Sequence, residues 1–215
     1  MAGNGIPRVL TVNVVHQVFR GPIRETAIDK RPVTGPVDVG TSGLTGDVQC
    51  DTRYHGGPDK AVYAYAAKDA AWWADELQRE IPPGLFGENL TTVGLDVTGA
   101  VIGERWLVGD DGVLFEVRMP RTPCANLSAR MDIARFHRRF AASGRTGALL
   151  RVLTPGRIAA GDRVIVERRP DHGVTVADLA TGSNPDHMQR LADSDVDLAT
   201  TVQSMARRVL ARASR

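Results

Sequence analysis

Cysteine occurs only twice in this 215-residue chain, and Cys124 stands in the stretch MPRTPCANL, residues 119–127. The preceding run VLFEVRM reads as a strand, and Pro120 and Pro123 stiffen the backbone that leads into the cysteine. A thiolate is both a nucleophile and a soft-metal ligand, and a cationic neighbour such as Arg121 favours it over the thiol. If ANLSARM begins a helix, its dipole adds to that preference. The competing reading is a buried, inert cysteine. Cys50 has no prolines beside it, and Asp47 and Asp51 oppose its ionisation, so it reads as structural.

Two further stretches carry polar chemistry. In Tyr54-His55-Gly56-Gly57-Pro58-Asp59-Lys60, paired glycines let a backbone approach a ligand, and exposed amides in such a turn can cradle an anion. His55 adds a titratable group and Lys60 a positive charge. A tight polar turn between strands explains the same residues. The sequence lacks the G-x-x-x-x-G-K-[ST] pattern of a P-loop. In Phe86-Gly87-Glu88-Asn89-Leu90, Glu88 and Asn89 could meet the edge of a heterocycle or brace a neighbouring loop. Gly43-Leu44-Thr45-Gly46-Asp47 is another turn-like segment. The five histidines are dispersed, without the spacing of a zinc site.

Strands must position these groups. Residues 8–19 alternate as a long strand does. Shorter runs follow at 37–39, 61–66, 89–95, 105–108, 113–119, 147–153 and 163–169, separated by Gly, Pro and Asp clusters, with GDDG as a hairpin turn. This pattern favours a barrel or folded antiparallel sheet over a parallel α/β layer. Two helices interrupt it: AKDAAWWADELQRE, stopped by Pro82-Pro83, and DIARFHRRFAASG, stopped by glycine. Beyond residue 170 the texture becomes helical. Thr175–Asp178 and Ser194–Asp197 read as capping boxes, and Leu198, Val202, Met205 and Val209 form an apolar stripe. The expectation is a mainly β domain over 1–170 and a small C-terminal all-α domain of three helices over 171–215.

With 42% hydrophobic residues the chain can bury a sizeable core. A net charge of +2 and basic runs without interleaved aromatics argue against specific nucleic-acid binding and fit a small phosphate-bearing ligand. No apolar run is long enough to span a membrane, and MAGNGIPRVL lacks the order of a signal peptide, so the cytoplasm is the expected compartment. Two cysteines in such a chain are expected to be free thiols.

Taken in order, HGGPDKA, FGENL and PRTPC resemble the MOSC family, named for the C-terminal part of molybdenum cofactor sulfurases. Within it the chain looks most similar to YiiM-like proteins, whose barrel is followed by a three-helix domain. The resemblance implies a MOSC-type antiparallel β-barrel with peripheral helices and a molybdenum cofactor (molybdopterin). Cys124 would be the metal ligand or a sulfur carrier. Lys60, Gly56, Gly57, Glu88, Asn89 and Arg121 would surround the cofactor, and His55 would be the proton donor. It further implies reduction of a small N-hydroxylated substrate such as 6-N-hydroxylaminopurine to the amine. No nicotinamide, flavin or cluster motif is present, so electrons would come from a separate reductase. The alternatives are a sulfur carrier using a Cys124 persulfide, and a non-catalytic cofactor-binding module.

Overall fold

The computed structural model describes residues 5–50, 56–182 and 184–214. In chain order the elements are β1 (Arg8–Arg20), β2 (Glu25–Pro32), β3 (Val37–Gly40), β4 (Gly43–Leu44), a 3-10 turn (Pro58–Lys60), β5 (Val62–Ala66) and α1 (Ala67–Leu77). There follow β6 (Leu90–Val93), β7 (Arg105–Val108), β8 (Val113–Pro120), α2 (Ala125–Met131), α3 (Phe136–Ala142), β9 (Ala148–Thr154), β10 (Gly156–Ile158) and β11 (Val164–Arg168). The chain ends in α4 (Val176–Thr181), α5 (Pro185–Ala192) and α6 (Thr200–Ala213).

Eight strands form one mixed sheet in the order β11-β7-β8-β9-β5-β6-β1-β2, and β10-β3-β4 form a second. Within the large sheet β5 and β6 run parallel. Parallel neighbours need a crossover, which α1 supplies. The central strand shows how sequence becomes layering. All five residues of Val62-Tyr63-Ala64-Tyr65-Ala66 are buried, because both faces are covered. Val62, Ala64 and Ala66 face a large aliphatic core, and Tyr63 and Tyr65 face an aromatic one. In the aromatic core Trp73 of α1 stacks on Phe140 of α3 at 5.6 Å between ring centroids, and Phe86 meets Tyr65 at 5.0 Å. The α1 tryptophan is therefore core, and this cluster backs the FGENL loop and α2.

The expected closed barrel is not formed. Val164 N–H donates to Pro7 O and Val9 N–H to Asp162 O, both at 2.8 Å, around an isolated Arg8–Arg163 bridge. Past Val12, however, the free edge of β1 is taken by β2, which pairs with Asn13 through Arg20. The sheet curls until its ends touch, and β2 occupies the edge that full closure would need.

Two local expectations also change, and one strand is new. Residues 132–144 are not one helix: Asp132 and Arg135 take positive φ (52° and 57°), ending α2 and setting α3 at a new angle. Ser194–Asp197 is not a capping box. Ser194 Oγ donates to Leu191 O at the end of α5, Asp197 is drawn to Arg151 at 2.8 Å, and α6 begins at Thr200 with no side-chain cap. Glu25–Pro32 is not among the expected strands, yet it forms β2. The box at Thr175 does form, with Asp178 N–H donating to Thr175 Oγ1 at 3.1 Å and Thr175 N–H to Asp178 Oδ2 at 2.8 Å. Buried residues of the last three helices, among them Leu179, Met188 and Val202, belong to the same aliphatic cluster as the sheet. Among the described residues no helix is long and apolar enough to cross a membrane.

Candidate functional site

Four segments distant in sequence converge on one cavity. They are β2 with its preceding turn, residues 47–50, the turn ending at Lys60, and the strap from Arg121 through Cys124 into α2; Gly87 and Asn89 close the wall. Its free space, open solvent at the mouth included, is about 890 Å³. Arg24, Lys30, Lys60 and Arg121 face it against the carboxylates Glu25 and Asp47, so among the described residues the wall is net cationic.

The strap is built as its prolines imply. β8 ends at Pro120, Arg121 N–H donates to Gly147 O at 3.3 Å, and Cys124 is extended (φ −128°) immediately before α2. Cys124 is half-buried and lines the cavity. Arg121 lies over the Tyr63 ring at 5.5 Å, and its Nη1 is buried with no hydrogen-bond partner among the described residues. The side-chain oxygen of Asn126, in the first turn of α2 and also on the wall, is likewise unpartnered among the described residues. A buried polar atom left so is costly unless a ligand supplies the missing bond.

Lys60 lines the cavity from the end of the 3-10 turn. That turn is clamped from both sides. Gly57 takes φ 99°, a conformation glycine adopts freely; its N–H donates to Gln49 Oε1 at 3.3 Å, while Gln49 Nε2 donates to Lys60 O at 2.9 Å. Gly56 precedes it in the same turn. Asp59 is held by Arg118 at 2.8 Å and Arg151 at 2.6 Å. His55 lies outside the described residues.

The FGENL pair divides. Glu88 is 2% exposed, and its carboxylate accepts from Gly84 N–H at 2.7 Å, Phe86 N–H at 3.1 Å and the Thr91 hydroxyl at 3.1 Å. Burial pushes its pKa up, against the opposing pull of these donors. Asn89 reaches the cavity while tying three segments together: its Oδ1 accepts from Tyr63 N–H at 3.0 Å, and its Nδ2 donates to Asn13 O at 3.3 Å and Asp47 Oδ2 at 2.8 Å.

Sequence reasoning missed Lys30, Gln49 and Asn126, and underrated Asp47 and Cys50. Lys30 Nζ donates to Asp47 Oδ2, and Asp47 Oδ1 accepts from Val15 N–H at 3.0 Å. The available signal was the position of GLTGDVQC directly before the glycine turn. Cys50 shares the cavity with Cys124, and the two are thiols rather than a disulfide. Burial, then Glu25 and Asp47, push the Cys50 thiol up, so it stays protonated near neutrality.

The part of the cavity wall from Lys60 to Leu149 falls within a stretch that known proteins share, and β2 and residues 47–50 precede it. Residues 51–165 match the MOSC domain. YiiM of Escherichia coli is 33% identical over 162 residues, covering 73% of this chain and 70% of that protein. A protein of Gibberella moniliformis named "Reductase" is 36% identical over 148 residues, 67% of this chain but 26% of its own length. The crystal structure of YiiM from Geobacillus stearothermophilus superposes with a TM-score of 0.78 at 25% identity, covering 95% of this chain and 99% of that one. A domain match over more than half its length, and a relative this similar across most of both chains, mean that the chain belongs to the MOSC domain family.

Proposed function

We propose that this chain holds a molybdenum–pterin cofactor in the cationic cavity and reduces small N-hydroxylated substrates, such as 6-N-hydroxylaminopurine, to amines in the cytoplasm. The observation that carries the reading is the buried, unpartnered Arg121 Nη1 on the wall shared with Cys124. It is a fixed cation with donor capacity to spare, beside a soft ligand atom. The donor set suits a group that is anionic at its phosphate and soft at its metal. The relative named a reductase, which matches two thirds of this chain, supports the redox class.

In this reading Cys124 ligates the metal through its thiolate, aimed by the proline strap. Arg121 and Lys60 would hold the phosphate; the Gly57 amide is taken by Gln49, so the glycine turn of Gly56 and Gly57 serves by shaping the approach of Lys60. Asn89 keeps the strands beneath the cavity in register, and Glu88 fixes the loop that presents Asn89. The bound cofactor supplies the two-electron chemistry that removes oxygen from nitrogen. The balance is R–NHOH + 2 e⁻ + 2 H⁺ → R–NH₂ + H₂O, with electrons delivered by a separate reductase protein and His55 one source of protons.

The test is molybdenum and pterin content of protein made in a cofactor-producing host, with hydroxylaminopurine reduction by a chemical electron donor. Stoichiometric molybdenum and turnover in wild type, both lost in Cys124→Ala, are expected. Cyanolysable sulfur on Cys124 with little molybdenum would establish a sulfur carrier instead, and bound cofactor without turnover a binding module.

A further inference from the structure

Lysine is scarce in this chain: three residues, Lys30, Lys60 and Lys68, against 24 arginines. Lys68 pairs at the surface with Asp96 at 2.7 Å, while the other two line the cavity. Where a permanent charge suffices, arginine does it better, with five donors and a pKa that proteins do not overcome. A lysine in its place can release a proton. Lys30 is 9% exposed at the inner wall, on β2. Its ammonium carries three donors, and the one hydrogen bond it makes among the described residues goes to Asp47. Asp47 cannot turn away, being held by Val15 N–H and Asn89 Nδ2.

We propose that Lys30, oriented by Asp47, is a catalytic proton donor to the substrate in this cavity. The inference rests on the reductive reading above: of the two protons consumed as the N–O bond breaks, Lys30 Nζ–H gives one to the leaving oxygen and is reprotonated from solvent through the open mouth. Its surroundings suit that task. Asp47 and Glu88 favour the ammonium, Arg121 opposes it, and burial outweighs them all and lowers the pKa from the ordinary lysine value. Among the described residues, Cys50, Lys60, Tyr63 and Cys124 are the other titratable groups on the facing walls, with Arg24 just before β2 and Glu25 on β2 itself. A lysine brought nearer to working pH is the better general acid.

Lys30→Arg keeps the charge and the Asp47 contact but cannot release a proton. Molybdenum and pterin per chain should stay at the wild-type level while turnover falls about 100-fold, and the alkaline fall in rate as Lys30 deprotonates should disappear. A readout independent of turnover comes from side-chain amine NMR of cofactor-free protein. With three lysines, the resonance missing from Lys30→Arg identifies Lys30, and it should titrate below the ordinary lysine value. Wild-type turnover with an unchanged pH profile in Lys30→Arg overturns the proposal, as does a Lys30 amine that titrates with ordinary lysines. If loaded wild type reduces no N-hydroxylated substrate, the reductive reading fails, and this assignment of Lys30 falls with it, whatever the NMR shows.

Discussion

At the residue scale the two cysteines share a cavity but not a chemistry. Cys124 follows a proline-stiffened strap beside Arg121, whereas burial, Glu25 and Asp47 keep the Cys50 thiol protonated. Cys50→Ala should therefore retain molybdenum near the wild-type level, measured by elemental analysis alongside Cys124→Ala, which should retain almost none. Lys60→Ala removes a charge-assisted contact to an anion, worth about 1.5–3 kcal/mol. Cofactor affinity should drop by roughly one to two orders of magnitude, read as molybdenum lost on dialysis. Glu88 works through its loop. Glu88→Ala strips the acceptor from the amides of Gly84 and Phe86 and from the Thr91 hydroxyl, at about 1–3 kcal/mol for a buried donor left unsatisfied. Its main effect should be a lower urea midpoint at unchanged slope.

At the scale of elements, the capping box of α4 is separable from the site. Thr175→Ala should cost about 1 kcal/mol, checked by denaturant unfolding. Burial raises the Asp178 pKa, but the amide and hydroxyl of Thr175 and the charges of His187 and Arg190 outweigh it and leave the carboxyl below its ordinary value. A carboxylate with a depressed native pKa contributes stability above its unfolded pKa of about 3.9, lost as pH falls through the native value. Thr175→Ala should therefore flatten the acid limb of the stability curve and leave pH 7–8 behaviour parallel to wild type. Strand β2 teaches the opposite lesson. Its consecutive buried residues Thr26-Ala27-Ile28-Asp29-Lys30 carry no alternation, because Asp29 and Lys30 are covered by Arg130 at 2.6 Å and by Asp47. Local pattern cannot reveal a strand whose burial depends on partners 17 and 101 residues away.

At the scale of the whole molecule, the proposed division at residue 170 follows the last strand but not the packing. Leu179, Met188 and Val202 complete the aliphatic core of the sheet, and Asp197 reaches Arg151, whose other contact is Asp59 beside Lys60. Unfolding followed by calorimetry should thus show one transition with equal calorimetric and van't Hoff enthalpies. Two resolved transitions would mark 171–215 as an independent unit.

The sequence by itself determined what local chemistry controls. It placed the strands with alternating or continuous apolar runs, the GDDG hairpin, the Thr175 cap, the tryptophan helix, and the polar motifs at Lys60, Asn89 and Arg121–Cys124, because glycine, proline and apolar periodicity act over a few residues. Only the tertiary structure decided which of those motifs meet. It put Lys60, Asn89, Arg121 and Cys124 on one cavity, added Lys30, Asp47 and Gln49 to it, and turned Glu88 into its own loop. It also left the sheet open where β2 takes the edge of β1. These outcomes depend on strand order and on which buried charge finds which partner, and both are properties of contacts between segments far apart in the chain.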